Sequence, residues 1–514
     1  MIKTEVLIIG GGITATGLAR DLALRGVRCM LVEQKDLNAG ASGANHGLLH
    51  SGARYVSNDP ANAAECRSEA GILKKMAAHC IEDTGGLFVA VEGDDENYVA
   101  DFPHLCTRSD IPVKPIDVED AREMEPALSA TLIAAYAVED ASIDPFKLTM
   151  ENFLHAQALG CWLLRHTRVV GFDIHRNRIR TTRLLNTLTG ENFDIEAGQV
   201  VNATGAWASL VAALAGVSLP MIYSKGSLVV THSRLTQRVI NRLRPSSNAD
   251  ILVPGGTVSI LGTTSVRIDD PNSVQPTVKE LDFIVEEGAA MIPALETTRF
   301  IRAYAGVRPL VGAQDAQDGR GLSRGFALVD HSAAGVENFV TITGGKLTTY
   351  RLMAERTADL ICSRIGVSRP CLTRTSPLPA ADSTRWTQPG YTPKLWFNRL
   401  DPDDLLVCEC EMVPTSVVED IIASLKTQNI RPDLKGIGLR SRIGKGACQG
   451  IMCGLRLAAY LYDRGDLDDD QGVPALKEFL NERWRGVRPL LWDMPLIQSE
   501  LREALYSGLC SLEL

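Results

Sequence analysis

Four of the twelve cysteines stand in two close pairs near the end of the 514-residue chain, Cys408-Glu409-Cys410 and Cys448-x4-Cys453. Four thiolates grouped two and two suit a [2Fe–2S] cluster, with two sulfurs on each iron. A structural zinc ion could use the same four ligands, although zinc more often takes pairs spaced by two residues. Gly444, Gly446, Gly450 and Gly454 leave backbone N–H groups free near the second pair, and Arg440, Arg442 and Lys445 add positive charge. Both features favour a reduced, more negative cluster. At the other end of the chain lies Gly10-x-Gly12-x-x-Ala15, with Gly17 two residues on. This spacing makes a tight turn, lets the backbone approach a pyrophosphate, and keeps a small residue where helix and strand pack. Glu33, about 20 residues after Gly12, falls where a carboxylate accepts from ribose hydroxyls.

These residues need particular elements to hold them. Val6-Leu7-Ile8-Ile9 is an apolar strand, Gly10-Gly11-Gly12 the turn, and 13–25 a helix by the spacing of Ile13, Leu18 and Leu22, stopping at Gly26. A second apolar strand, 27–32, ends in Glu33 and completes a β-α-β unit, which demands a parallel sheet. Residues 61–84 and 118–125 have helix-like polar patterns, and 199–201 reads as a short strand. Residues 225–340 alternate β-rich runs (228–231, 258–263, 339–343) with glycine turns, as an antiparallel layer does. Thr343-Gly344-Gly345-Lys346 opens a helix to about Ile365. Five prolines, Pro370, Pro377, Pro379, Pro389 and Pro393, mark a linker.

The expected organisation is an α/β oxidoreductase region over 1–366, a Pro-rich linker over 367–402, a small α-rich cysteine module over 403–462, and a tail over 463–514 suited to partner docking. A surplus of 62 acidic over 53 basic residues, net −9, argues against a nucleic-acid partner. The most apolar stretch, 210–222, is too short for a membrane span and contains Gly216 and Pro220. The N-terminus runs straight into a strand rather than a secretory signal. A cytoplasmic location is therefore expected, with the other eight cysteines packed as thiols.

The glycine- and serine-rich segment 38–43 follows Glu33 directly, and a second signature, Asn202-Ala203-Thr204-Gly205, comes much later. With the N-terminal fingerprint, this pattern resembles the FAD-dependent, D-amino-acid oxidase-like superfamily over roughly residues 1–365. Within it the chain looks most like the glycerol-3-phosphate dehydrogenases. The matching segments are His50-Ser51-Gly52-Ala53-Arg54-Tyr55, Lys225-Gly226-Ser227, Ala305-Gly306-Val307-Arg308-Pro309-Leu310 and Gly344-Gly345-Lys346-Leu347-Thr348-Thr349-Tyr350-Arg351. The cysteine module resembles fused versions of the bacterioferritin-associated ferredoxin-like domain. Together with Phe479-Leu480-Asn481-Glu482-Arg483-Trp484, it extends the likeness to the anaerobic branch of the family, over nearly the whole chain. One departure is Leu228, where aerobic members usually carry a histidine.

The resemblance implies a Rossmann-like FAD domain interleaved with an antiparallel substrate domain. It assigns FAD contacts to Gly10, Gly12, Ala15, Glu33, Ser42, Ala203, Gly205, Gly345, Lys346, Leu347 and Thr348, and the [2Fe–2S] cluster to Cys408, Cys410, Cys448 and Cys453. Substrate contacts fall to Arg54, Tyr55, Arg308 and Lys346, because a phosphate dianion calls for guanidinium and ammonium donors. His50 is the candidate base for the substrate hydroxyl, with His46 a competitor, and Arg308 the group that stabilises a developing alkoxide. The implied reaction is oxidation of sn-glycerol 3-phosphate to dihydroxyacetone phosphate. Electrons would leave FAD through the cluster and partner subunits for quinone, with the chain peripheral on the inner face of the cytoplasmic membrane. Two alternatives stay open: a flavin dehydrogenase of a 2-hydroxy or amino acid such as L-2-hydroxyglutarate, and an FAD/Fe–S electron-transfer subunit without its own substrate.

Overall fold

Val6, Leu7 and Ile8 are wholly buried because their strand, Ile2–Ile9, is covered on both faces near its end. The computed structural model describes residues 2–272, 274–311, 325–379, 396–427, 430–468, 470–492 and 494–512. The expected β-α-β unit forms, with helix Ile13–Leu24 and strand Cys29–Val32 parallel to Ile2–Ile9. The parallel sheet runs Phe339–Gly344, Asn192–Asn202, Ile2–Ile9, Cys29–Val32, Trp162–Leu164. Strands Thr167–His175 and Arg178–Asn186 extend it antiparallel from the first half of Asn192–Asn202. The 339–343 run was expected in the antiparallel layer but stands in this parallel sheet. Residues 339–343 are all buried, as in a strand covered on both faces, and no local signal tells such a strand which sheet will take it.

The second layer is a nine-stranded sheet built around Met221–Thr231, which pairs antiparallel with Phe300–Val311 and Val258–Gly262. Residues 86–138, where only helical stretches stood out in the sequence, add Gly86–Val91, Leu132–Val138 and Lys114–Ile116. The layer is not wholly antiparallel: Val239–Arg242 lies parallel to Gly86–Val91. The two sheets thus alternate along the chain, which is the interleaved α/β architecture.

Helix Tyr350–Ile365 starts four residues later than the glycine pair suggested and packs on helix Ile13–Leu24. A Cβ at Gly17 would stand 2.8 Å from the Tyr350 ring, so the small residue that this helix contact needs is Gly17 as well as Ala15. Of the expected linker, 380–395 lie outside the described residues. Its first part folds back: Leu378 N–H donates to Met76 O at 2.7 Å, and Arg20 donates to Ser376 O.

Beyond it, the hairpin Leu406–Cys408/Val413–Pro414 and helices Thr415–Thr427, Leu434–Arg440, Ile451–Asp463, Gly472–Val487 and Met494–Cys510 share one core. Phe479, Leu480 and Tyr506 belong to that core with Val418, Ile422 and Cys453, so the expected tail and the cysteine module pack together. The group docks on the main body through Arg440 to Asp36 (3.3 Å) and Arg302 to Glu482 (3.2 Å). Among the described residues, no helix is long and apolar enough to cross a membrane.

One buried carboxyl gives a stability test. Burial pushes Glu151 up to about 7, against the opposing pull of Lys147. A raised carboxyl pKa means that the folded chain holds the proton more tightly, so stability falls as pH rises from about 4.5 to 7. Glu151→Gln removes that loss, worth about 3 kcal/mol by the size of the shift. The melting temperature of the variant should exceed that of the parent at pH 8 and approach it at pH 5. Equal gains at both pH values would discount the titration.

Candidate active site

Gly10 takes φ +121, and a Cβ there would stand 2.6 Å from Ala203 O, so only glycine lets the first turn meet the 203–205 segment. That turn forms one wall of a 580 Å³ cavity. Asn38 N–H donates to Gly11 O (3.0 Å) and Ile13 N–H to Ser42 Oγ (3.0 Å), fastening the 38–45 loop across the mouth of the helix. Glu33 lines the same wall and accepts from Lys35 N–H at 2.9 Å. Burial holds its carboxyl above the usual range. Ala203, Gly205, Gly345 and Leu347 line the cavity. Gly345, at φ +67, lies over Met353, with its own Cβ position 2.5 Å from the sulfur. Ala15 stands behind, fully buried between sheet and helix. Thr348 is also behind the wall, where its hydroxyl accepts His50 N–H at 3.1 Å. A crevice at the carboxyl ends of parallel strands, with a glycine turn, a helix N-terminus and a terminal carboxylate, fits a dinucleotide.

His50, Arg54, Tyr55, Arg308 and Lys346 form another part of the wall, all lining the same cavity. His50 is 8% exposed, and its Nε2 lies 3.3 Å from the Tyr55 hydroxyl. Lys346 sits 4.5 Å above the Tyr55 ring and donates to Asn62 Oδ1 at 2.5 Å. Tyr55 therefore braces the histidine on one side and the ammonium on the other. The His46 ring is 6.3 Å from that of His50 and also lines the cavity. Arg308 donates to Thr264 O (3.1 Å) and to the Thr263 hydroxyl, lying against Gly226 where any Cβ would clash.

Arg54 pairs with the fully buried Asp250 at 2.9 Å and donates to Ser247 O. Its Nη1 is buried with no hydrogen-bond partner among the described residues. Asp250 is shared with Arg244, which also pairs with Glu287. Leu228 presents an apolar surface to the cavity. Lys225 does not belong here: it pairs with Glu280 at 2.8 Å, which also accepts from the Ser227 hydroxyl and caps helix Val278–Ala289.

Two positions that sequence reasoning missed hold this wall. Asp140 is fully enclosed, accepts from Ser51 N–H at 2.6 Å and Asn241 Nδ2 at 3.0 Å, and so fixes the turn carrying His50. Burial holds its carboxyl above the usual range. Asp250 orients Arg54. Neither lies in a motif.

The four paired cysteines converge. Cys448 contacts both Cys410 and Cys453, and Cys453 contacts Cys408. Backbone N–H groups of Gly450 and Met452 donate to the Cys448 sulfur, that of Glu411 to Cys408, and that of Cys448 to Cys410. All four are free thiols, and among the described residues no group of three or more such side chains stands at metal-site spacing. Four converging thiols with amide donors nonetheless match the donor chemistry of a thiolate-held cluster.

The sequence pattern of the FAD dependent oxidoreductase family matches residues 5–360. The chain is 42% identical to one of the anaerobic glycerol-3-phosphate dehydrogenase A subunits, that of Escherichia coli K12, over 99% of this chain and 97% of that one. It is 38% identical to the protein of the same name from Haemophilus influenzae, over 99% and 94%. Among solved structures, glycerol-3-phosphate dehydrogenase of Bacillus halodurans, complexed with FAD, superposes with TM-score 0.67 at 20% identity, covering 96% of each chain; this likeness is one of fold. By pattern, identity and length, the chain belongs to the FAD dependent oxidoreductase family and, within it, to the family of anaerobic glycerol-3-phosphate dehydrogenase A subunits.

Proposed function

We propose that this chain oxidises sn-glycerol 3-phosphate to dihydroxyacetone phosphate as an FAD-dependent dehydrogenase. The observation that supports this best is the single cavity, one part of whose wall suits a dinucleotide while another part brings together His50, Arg54, Arg308 and Lys346. FAD, when bound, supplies a two-electron acceptor for the hydride that leaves the carbinol carbon. The chain's own residues do the rest. His50 takes the hydroxyl proton, an imidazole being suited to that near neutral pH. Tyr55 steadies the ring, and Asp140 and Thr348 hold its backbone. Arg308 offsets the charge that grows on the substrate oxygen. Lys346 and the inner N–H of Arg54 grip the phosphate.

Cys408, Cys410, Cys448 and Cys453 would hold a [2Fe–2S] cluster, whose chemistry is one-electron transfer between a two-electron donor and an outside acceptor. The relatives' designation as a subunit supports the existence of partner chains; in this reading those chains carry electrons onward to quinone and attach this one to the inner face of the cytoplasmic membrane. A 2-hydroxy monocarboxylate is disfavoured because one carboxylate does not call for three cations; L-2-hydroxyglutarate, a dianion, is separated by the experiment below.

Under anaerobic conditions, glycerol 3-phosphate should bleach the flavin absorption of the purified chain within the enzyme's turnover time, and L-2-hydroxyglutarate at equal concentration should not. A flavin that stays yellow with glycerol 3-phosphate would overturn the proposal. Activity with an artificial dye in the isolated chain would dismiss the purely electron-carrying reading.

A further inference from the structure

Helix Gly472–Val487 lays Phe479 into the glycines of the cysteine loops: Cβ atoms at Gly444, Gly450 and Gly454 would stand 2.7, 2.9 and 3.1 Å from its ring. One turn further on, Arg483 runs along the same loop, its Nε 3.3 Å from the Cβ position of Gly444 and its Cγ 3.4 Å from that of Gly450. The guanidinium lies 5.5 Å from the Phe479 ring, and Nε is buried with no hydrogen-bond partner among the described residues. The neighbouring carboxylate, Glu482, is engaged by Arg302 and Arg485 instead.

The last helix repeats the arrangement. Tyr506 donates its hydroxyl to Ile451 O, at the start of the helix that carries Cys453. Arg502, on the same helix, is 8% exposed, stands 5.8 Å from the Trp484 ring, and again has a buried Nε without a partner. Neither arginine has a carboxylate within ion-pair distance among the described residues, whereas Arg440 is paired with Asp36 and Arg442 with Glu411. A guanidinium with a buried N–H and no anion beside it is costly, so its position calls for a negative charge close by. Arg483 runs along the glycine loop that holds Cys448 and Cys453, and Arg502 shares its helix with Tyr506, which is bonded to the start of the Cys453 helix. A thiolate-bound [2Fe–2S] cluster is such an anion and gains a further negative charge on reduction.

We propose that Arg483 and Arg502 are the counter-cations of the cluster and raise its reduction potential, a role that rests on the cluster reading given above. On this view the segment 472–510 completes the redox site rather than serving as a detachable tail.

The test is an anaerobic redox titration of the full-length chain, following the cluster by electron paramagnetic resonance and the flavin by absorbance. Arg483→Gln and Arg502→Gln should each shift the cluster's oxidised-to-reduced ratio at fixed potential about tenfold, a fall of about 59 mV for a one-electron couple. Arg483→Lys and Arg502→Lys should restore more than half of that, and the flavin potential should stay where it is in the parent. Glutamine variants with full iron content and the parental potential would overturn the proposal, as would lysine and glutamine variants shifted equally. If glutamine variants lose the cluster, lysine variants that keep it near the parental potential support the charge role, and lysine variants that lose it refute that role. A parent chain without a cluster signal would sink the cluster reading and this proposal together; a parent with one, and unaffected variants, would sink only the latter.

Discussion

Replacing His50 with glutamine is expected to slow anaerobic flavin bleaching by glycerol 3-phosphate about 10²- to 10⁴-fold, the range typical of a lost general base. Glutamine keeps hydrogen-bonding capacity toward the Tyr55 hydroxyl but cannot accept a proton near neutral pH. The turn should survive, because it is held through main-chain N–H groups by Thr348 at 3.1 Å and Asp140 at 2.6 Å rather than through the imidazole. The dependence of bleaching rate on substrate concentration should thus keep its half-saturation point while its plateau drops. A plateau at the parental rate would remove His50 from the chemistry and leave His46, whose ring is 6.3 Å away in the same cavity, to be tested next.

The second large effect is expected at Lys346. Lys346→Met keeps most of the length and the apolar stem of the side chain but deletes the charge that lies 4.5 Å above the Tyr55 ring. Removing one partner of a desolvated charge pair costs about 2–4 kcal/mol, about 30- to 1000-fold in kcat/KM for glycerol 3-phosphate. Unphosphorylated glycerol lacks the dianion, so its turnover, slow as it is, should hardly change. Inorganic phosphate should compete with substrate in the parent and much less in the variant. Equal losses for glycerol and glycerol 3-phosphate would show that Lys346 supports the fold of the cavity instead of gripping a phosphate.

Local features of the chain were readable in one dimension. The first strand, turn and helix are specified by neighbours within a few residues of one another, and the Cys408–Cys410 and Cys448–Cys453 pairs declare themselves by spacing. Long-range partners were not. Lys225 and Lys346 each stand beside glycine in a family-like motif, yet Glu280 ties up the first and the second faces the cavity. Arg440, Arg442 and Lys445 were the visible cations around the cysteines, and of these Arg440 and Arg442 are paired with carboxylates, while Arg483 and Arg502, brought in by later helices, have none within ion-pair distance among the described residues. Strand 86–91 escaped notice because a buried strand and a buried helix segment share the same apolar run.

Backbone chemistry and residue spacing thus determined, without coordinates, that this chain cradles a nucleotide at its N-terminal turn and gathers sulfur near its end. Which charges remain available for a ligand was decided only when sheets and helices from distant stretches closed on each other. An ionisable group acts through whatever lies within a few ångströms of it, and that neighbourhood is a property of the folded chain.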